Sequence, residues 1–84
     1  MKLATLKTAD RDGELLVVAR NLATAVSARH VAPNLMTALE RWEVVEPALQ
    51  SLYAQLNAGT AHDAVAFDPK QAAAPLPRAN TWLD

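Results

Sequence analysis

The sequence predicts an α+β fold: a small antiparallel sheet packed against two helices. Two short apolar runs, residues 2–7 and 14–19, flank a polar segment ending in Asp12-Gly13. One long amphipathic stretch, residues 34–58, carries most of the large apolar side chains. The 84 residues make one domain at most, and a chain this short buries roughly 60–65% of the surface its unfolded form exposes. The core is therefore a single thin one.

The strands come first. KLATLK and ELLVVA read as a β-hairpin, with TADRDG as its loop. Gly13 takes a positive φ without a Cβ clash, which suits the turn. ELLVVA does not alternate cleanly, which fits a strand covered on both faces. Arg20-Asn21 reads as a turn, and TAVSA, residues 24–27 and onward, as a third short strand. A lone hairpin is marginal in water, so it needs that third strand or a covering helix.

Pro33 suits the first turn of a helix, where its missing N–H is no loss. Leu35, Leu39 and Trp42 fall at i, i+4 and i+7, and Val45, Leu49, Leu52, Tyr53 and Leu56 continue the stripe. The polar residues Glu40, Arg41, Glu43, Gln50, Ser51 and Gln55 take the other face, so the helix buries one side. Pro47 interrupts the pattern. A proline in a helix interior costs roughly 3 kcal/mol and steers the preceding Glu46 from the α region. One kinked helix or two helices satisfy this. Two helices with a break near 43–46 are favoured, since Pro47 then falls in a first turn. Gly59 is expected as a left-handed C-cap. Beyond it, residues 62–67 suit a short strand, and Asp68 caps a helical turn running from Pro69 to Ala74. Residues 75–78, PLPR, are extended.

Composition removes several function classes. The net charge is −1 with no basic run, which argues against nucleic-acid binding. Cysteine is absent, so disulfides and thiolate metal sites are excluded. The N-terminus lacks the apolar core of a signal peptide, and no stretch approaches the roughly 20 apolar residues of a membrane span. A soluble, cytoplasmic chain with no membrane partner is expected.

The chemistry-bearing residues are sparse. His30 and His62 are the histidines. Asp63 adjoins His62, but neighbours on a strand point to opposite faces, and no ligand pair sits at helical spacing. Ser27 and Ser51 lack a nucleophile-elbow context. Asp10 and Asp12 flank Arg11 in a loop without the further ligands of a calcium loop. Two glycines cannot build a phosphate cradle. The expectation is no catalytic, cofactor-binding or metal residue. Trp82-Leu83, a large apolar pair near the end of the sequence, either docks back on the core or meets a neighbour; an inter-domain contact is favoured.

Several segments, taken in order, resemble the N-terminal region of bacterial fumarylacetoacetate hydrolase (fumarylacetoacetase) family enzymes. They are Met1 to Lys7, Arg11-Asp12-Gly13, Leu15 to Leu22, Val31 to Leu35, Ala38-Leu39 with Trp42, Leu56 to Gly59, Phe67-Asp68-Pro69, Pro75 to Ala79, and Trp82-Leu83-Asp84. Each is weak alone, and their joint order carries the match. The resemblance implies a domain spanning 1–84, followed by a β-rich catalytic domain absent from this chain. That second domain would hold Mg²⁺ or Ca²⁺ and hydrolyse a carbon–carbon bond of a 1,3-diketo acid such as an acylpyruvate. The implied partner is that catalytic domain, with Trp82 and Leu83 at the junction and room for a homo-oligomer. This domain's implied role is to support it. The rival reading is a free-standing interaction module that uses the 34–58 helical face or the Trp82 end. A small enzyme in its own right comes third; it would need a pocket joining His30 or His62 to carboxylates.

Overall fold

The computed structural model describes residues 1–73. Strand β1 (Lys2–Leu6) and strand β2 (Glu14–Val18) form the expected hairpin, with Leu6 opposite Glu14 and Lys2 opposite Val18. The loop between them is held by its own polar groups. Thr8 Oγ1 accepts from the Asp10 N–H at 3.1 Å, and Asp10 Oδ1 accepts from the Asp12 N–H at 3.1 Å. Gly13 closes it at φ 69°. An ideal Cβ there would lie 2.5 Å from Thr5 Cγ2 and 2.6 Å from the Leu6 carbonyl oxygen, so only glycine fits.

Strand β3 (Thr24–Ser27) adds to β2, as expected. The turn before it holds Leu22 at φ 63°, a left-handed conformation that costs an L-residue roughly 1–2 kcal/mol. Asn21 Oδ1 steadies this turn by accepting from the Ala23 N–H at 2.9 Å. Asn57, near the end of the helical layer, accepts from the Arg20 N–H at 2.8 Å and ties helix to hairpin.

The helical layer differs in detail from expectation. Helix α1 (Leu35–Glu40) starts one residue beyond Asn34, whose Oδ1 accepts from the Thr37 N–H at 2.8 Å. Pro33 therefore lies outside the helix rather than in its first turn. The break between helices falls at Arg41, not at 43–46. Helix α2 (Trp42–Ala58) runs through Pro47. The proline deprives only the exposed Glu43 of its backbone partner, and a carbonyl there can turn to water. Gly59 ends α2 at φ 77°, the expected left-handed cap.

The buried stripe runs across the break at Arg41 in one register. Leu35, Ala38, Trp42, Val45, Leu49, Leu52 and Leu56 face the sheet at alternating steps of three and four, the seam pattern of packed helices. Leu39, expected in this stripe, is 38% exposed, and Ala38 takes its place. The short α1 lies over β1, and α2 over β2 and β3. Between helices and sheet sit Leu3, Leu15, Val17 and Val26.

Among the described residues the sheet has five strands in the order β4-β3-β2-β1-β5, all neighbours antiparallel. Strand β4 (Val65–Ala66) pairs with β3 at one edge, and strand β5 (Ala72–Ala73) with β1 at the other. A 3₁₀ turn at Pro69–Gln71, capped by Asp68, comes between them. The expected helical turn to Ala74 thus stops at Gln71, because the chain there joins β1. Residues 67–71 form a strap across the sheet face opposite the helices. Hydrogen bonds fasten both ends: the Phe67 N–H donates to the Ala23 carbonyl, and the Lys7 N–H to the Gln71 carbonyl. Beneath the strap lies a second small core of Ala4, Leu16, Val18 and Ala25, with Leu6 and Phe67 packed against it. The run Leu15 to Ala19 is thus buried on both faces, as its unbroken apolarity predicts. Four strand spacings amount to about 19 Å in a flat sheet. A strap containing a 3₁₀ turn reaches less than that, so the sheet edges curl toward one another.

Candidate functional site

Among the described residues, polar side chains gather at three of the molecule's concavities. One, about 550 Å³, lies beside the first hairpin loop and is lined by Asp10, Glu14, Arg29 and His30 among others. Glu14 and Arg29 pair loosely across it at 3.8 Å. The second, about 240 Å³, lies under the strap. Its floor is Leu6, Leu16, Ala25 and Phe67, and its rim carries Glu14, Asp63 and Asp68.

The third, about 360 Å³, holds both histidines. His30 follows β3, and His62 follows the end of α2; the antiparallel return of the chain brings them to one cleft with Ser27, Arg29 and Asp63. Sequence spacing does not reveal this juxtaposition, because residues 30 and 62 meet only through the helical layer between them. The third reading's pocket joining histidine to carboxylate therefore exists as a cleft. Its chemistry is nonetheless thin. His30, His62 and Asp63 are exposed. Ser27 Oγ accepts from the Arg29 N–H at 3.4 Å, a local turn contact, and an activated nucleophile needs a base within hydrogen-bond reach.

Among the described residues, no group of three or more His, Asp or Glu side chains could hold a metal ion. Asp10 and Asp12 stay in the exposed hairpin loop, where Asp10 serves the loop backbone. Ser51 is exposed on α2. Trp82 and Leu83, the expected inter-domain contact, lie outside the described residues. Sequence reasoning did not anticipate a set of exposed apolar side chains on the helical layer: Met36, Leu39 and Val44, the last 68% exposed. The signal was present in the heptad-like spacing, which leaves these three off the buried seam. Among the described residues, no helix is long and apolar enough to cross a membrane.

Comparison with known proteins follows the same direction as the fold. The sequence profile of a family described as fumarylacetoacetase N-terminal domain 2 matches residues 1–78. No curated protein matches the chain significantly.

Proposed function

From the chain's membership of the fumarylacetoacetase N-terminal domain 2 family, we propose that it is the non-catalytic N-terminal domain of a metal-dependent, cytoplasmic hydrolase. The parent enzyme would cleave a carbon–carbon bond of a 1,3-diketo acid of the acylpyruvate class. The observation that carries this reading is the family match over residues 1–78, nearly the whole chain. The Mg²⁺ or Ca²⁺ of the reaction would be held by a following catalytic domain.

The domain's part is mechanical. Met36, Leu39 and Val44 offer apolar surface on the helical side, and surface of that kind suits contact with a neighbouring domain. Trp82 and Leu83 would add to that contact where the chain leaves the domain. Beneath that surface, α2 packs on two strands at once.

The test compares two proteins in an acylpyruvate hydrolysis assay with added Mg²⁺ or Ca²⁺. The 84-residue chain alone is expected to give no turnover, and the chain continued through its downstream domain to be active. Turnover by the 84 residues alone would overturn the assignment. A stop codon directly after Asp84 would favour the interaction module instead.

A further inference from the structure

We propose that the cavity of about 240 Å³ under the strap binds a small organic cation, a primary ammonium on a short apolar body. The site lies on this chain's own sheet face and is independent of the hydrolase reading.

Alternation along the strands builds the cavity. Side chains two apart on a strand share a face, so Glu14 and Leu16 of β2 both turn to the strap side. Leu6 of β1 stands opposite Glu14, and Ser27 of β3 opposite Leu16. All four line the cavity, together with Ala25 and the strap's Phe67. The lining thus joins hydrocarbon and one aromatic ring to a polar margin.

The charges of that margin have one sign. Glu14, Asp63 and Asp68 line the cavity, with no lysine or arginine among the described lining residues, although the net charge of the whole chain is −1. Lys70 lies in the strap and Lys7 Nζ donates to its carbonyl oxygen at 3.5 Å, yet neither lysine lines the cavity. Glu14 is the decisive group. Its side chain is 22% exposed, while its ion pair with the largely exposed Arg29 is a loose one at 3.8 Å. A carboxylate withdrawn from water gains most from a close, hydrogen-bonded cation. An ammonium in the cavity supplies that contact. It offers three N–H donors, for which Glu14, Ser27 and the rim aspartates hold acceptor oxygens. Asp68 Oδ1 already accepts from the Lys70 N–H at 3.0 Å, so Glu14 leads. The Phe67 ring adds the attraction of an aromatic quadrupole for a cation.

Size limits the occupant. Drug-sized pockets run from roughly 300 to 1,000 Å³, so this smaller space takes a fragment-sized molecule. An α-helix, about 10 Å across with its side chains, does not enter. A neutral apolar molecule would leave Glu14 without a close partner, and an anion would meet three like charges.

Benzylammonium is the probe, with benzyl alcohol and benzoate as its neutral and anionic counterparts. Each is titrated into the 84-residue chain at neutral pH and low salt and followed by methyl NMR. Benzylammonium should give saturable shifts of the Leu6, Leu16 and Ala25 methyl signals in the millimolar range, with cross-peaks from its ring to those methyls. Benzyl alcohol should bind roughly tenfold more weakly, and benzoate should not bind. Glu14→Gln should weaken benzylammonium binding at least about threefold, whereas Asp12→Asn in the exposed loop should leave it unchanged. The three-probe comparison uses the unaltered chain, so it decides the matter even where Glu14→Gln does not fold. Absence of saturable shifts, equal affinity for all three probes, or full binding by folded Glu14→Gln would overturn the proposal.

Discussion

Thr5 and Gly13 meet at the base of the first hairpin, where one is an exception to a packing rule and the other follows a turn rule. Thr5 is buried, and its Oγ1 has no hydrogen-bond partner among the described residues. An unsatisfied buried hydroxyl costs about 1–3 kcal/mol. Thr5→Val keeps the shape and removes the hydroxyl, so we expect it to stabilise the fold by about 1 kcal/mol in urea titration. A loss of stability instead would show that the hydroxyl has a partner in solution. The two glycines offer a paired comparison. Both have positive φ, but an added Cβ meets nothing within 4 Å at Gly59 and collides with Thr5 and Leu6 at Gly13. Gly59→Ala should cost about 1 kcal/mol, the left-handed penalty alone. Gly13→Ala should cost clearly more, and equal losses would contradict the packing described at Gly13. The turn role of Gly13 was legible from Asp12-Gly13 between two apolar runs. The orphaned Thr5 hydroxyl was not, since a threonine in a strand looks ordinary until its neighbours are placed.

At the scale of elements, the helical pair shows what periodicity can and cannot tell. The stripe and its division into two helices were legible, but the position of the break was not. Pro47 is the louder signal, and local reasoning placed the boundary beside it. The break instead falls at Arg41, and the seam runs on across it from Ala38 to Trp42 and leaves Leu39 outside. The penalty at Pro47 is then retained within α2. Pro47→Ala should therefore raise stability by about 1–3 kcal/mol, read as a higher denaturant midpoint with little change in slope. No gain would mean that the helix already opens at that turn. The helix start was misplaced for a similar reason. Pro33 drew the boundary, although Asn34, a preferred capping residue, stood next to it.

For the molecule as a whole, two layers cover one sheet unequally. The helical side has the larger core, whereas the strap side rests on four buried residues with Leu6 and Phe67 against them. Local opening follows such differences. Hydrogen exchange should find the amides of Phe67 and Lys7, which close the strap, less protected than those of β2 and the centre of α2. Equal protection would mean that strap and helices open as one unit. The strap was invisible in the sequence because its meaning is long-range: residues 67–71 matter only after the edges of the sheet are known. The candidate site shares this limit. His30, His62 and Asp63 come together through tertiary folding, whereas the family resemblance was legible because order along the chain survives without structure.

The fastening of the strap at both edges also bears on self-association. An exposed sheet edge is a template on which other chains can add strands. Here β4 and β5 contribute two residues each to the outer rows, and the chain enters or leaves the strap beside both. Edge strands this short give an incoming strand little ladder to extend. The five residues that cover the small core thus also join two edge strands of the short kind by which sheets blunt fibrous growth.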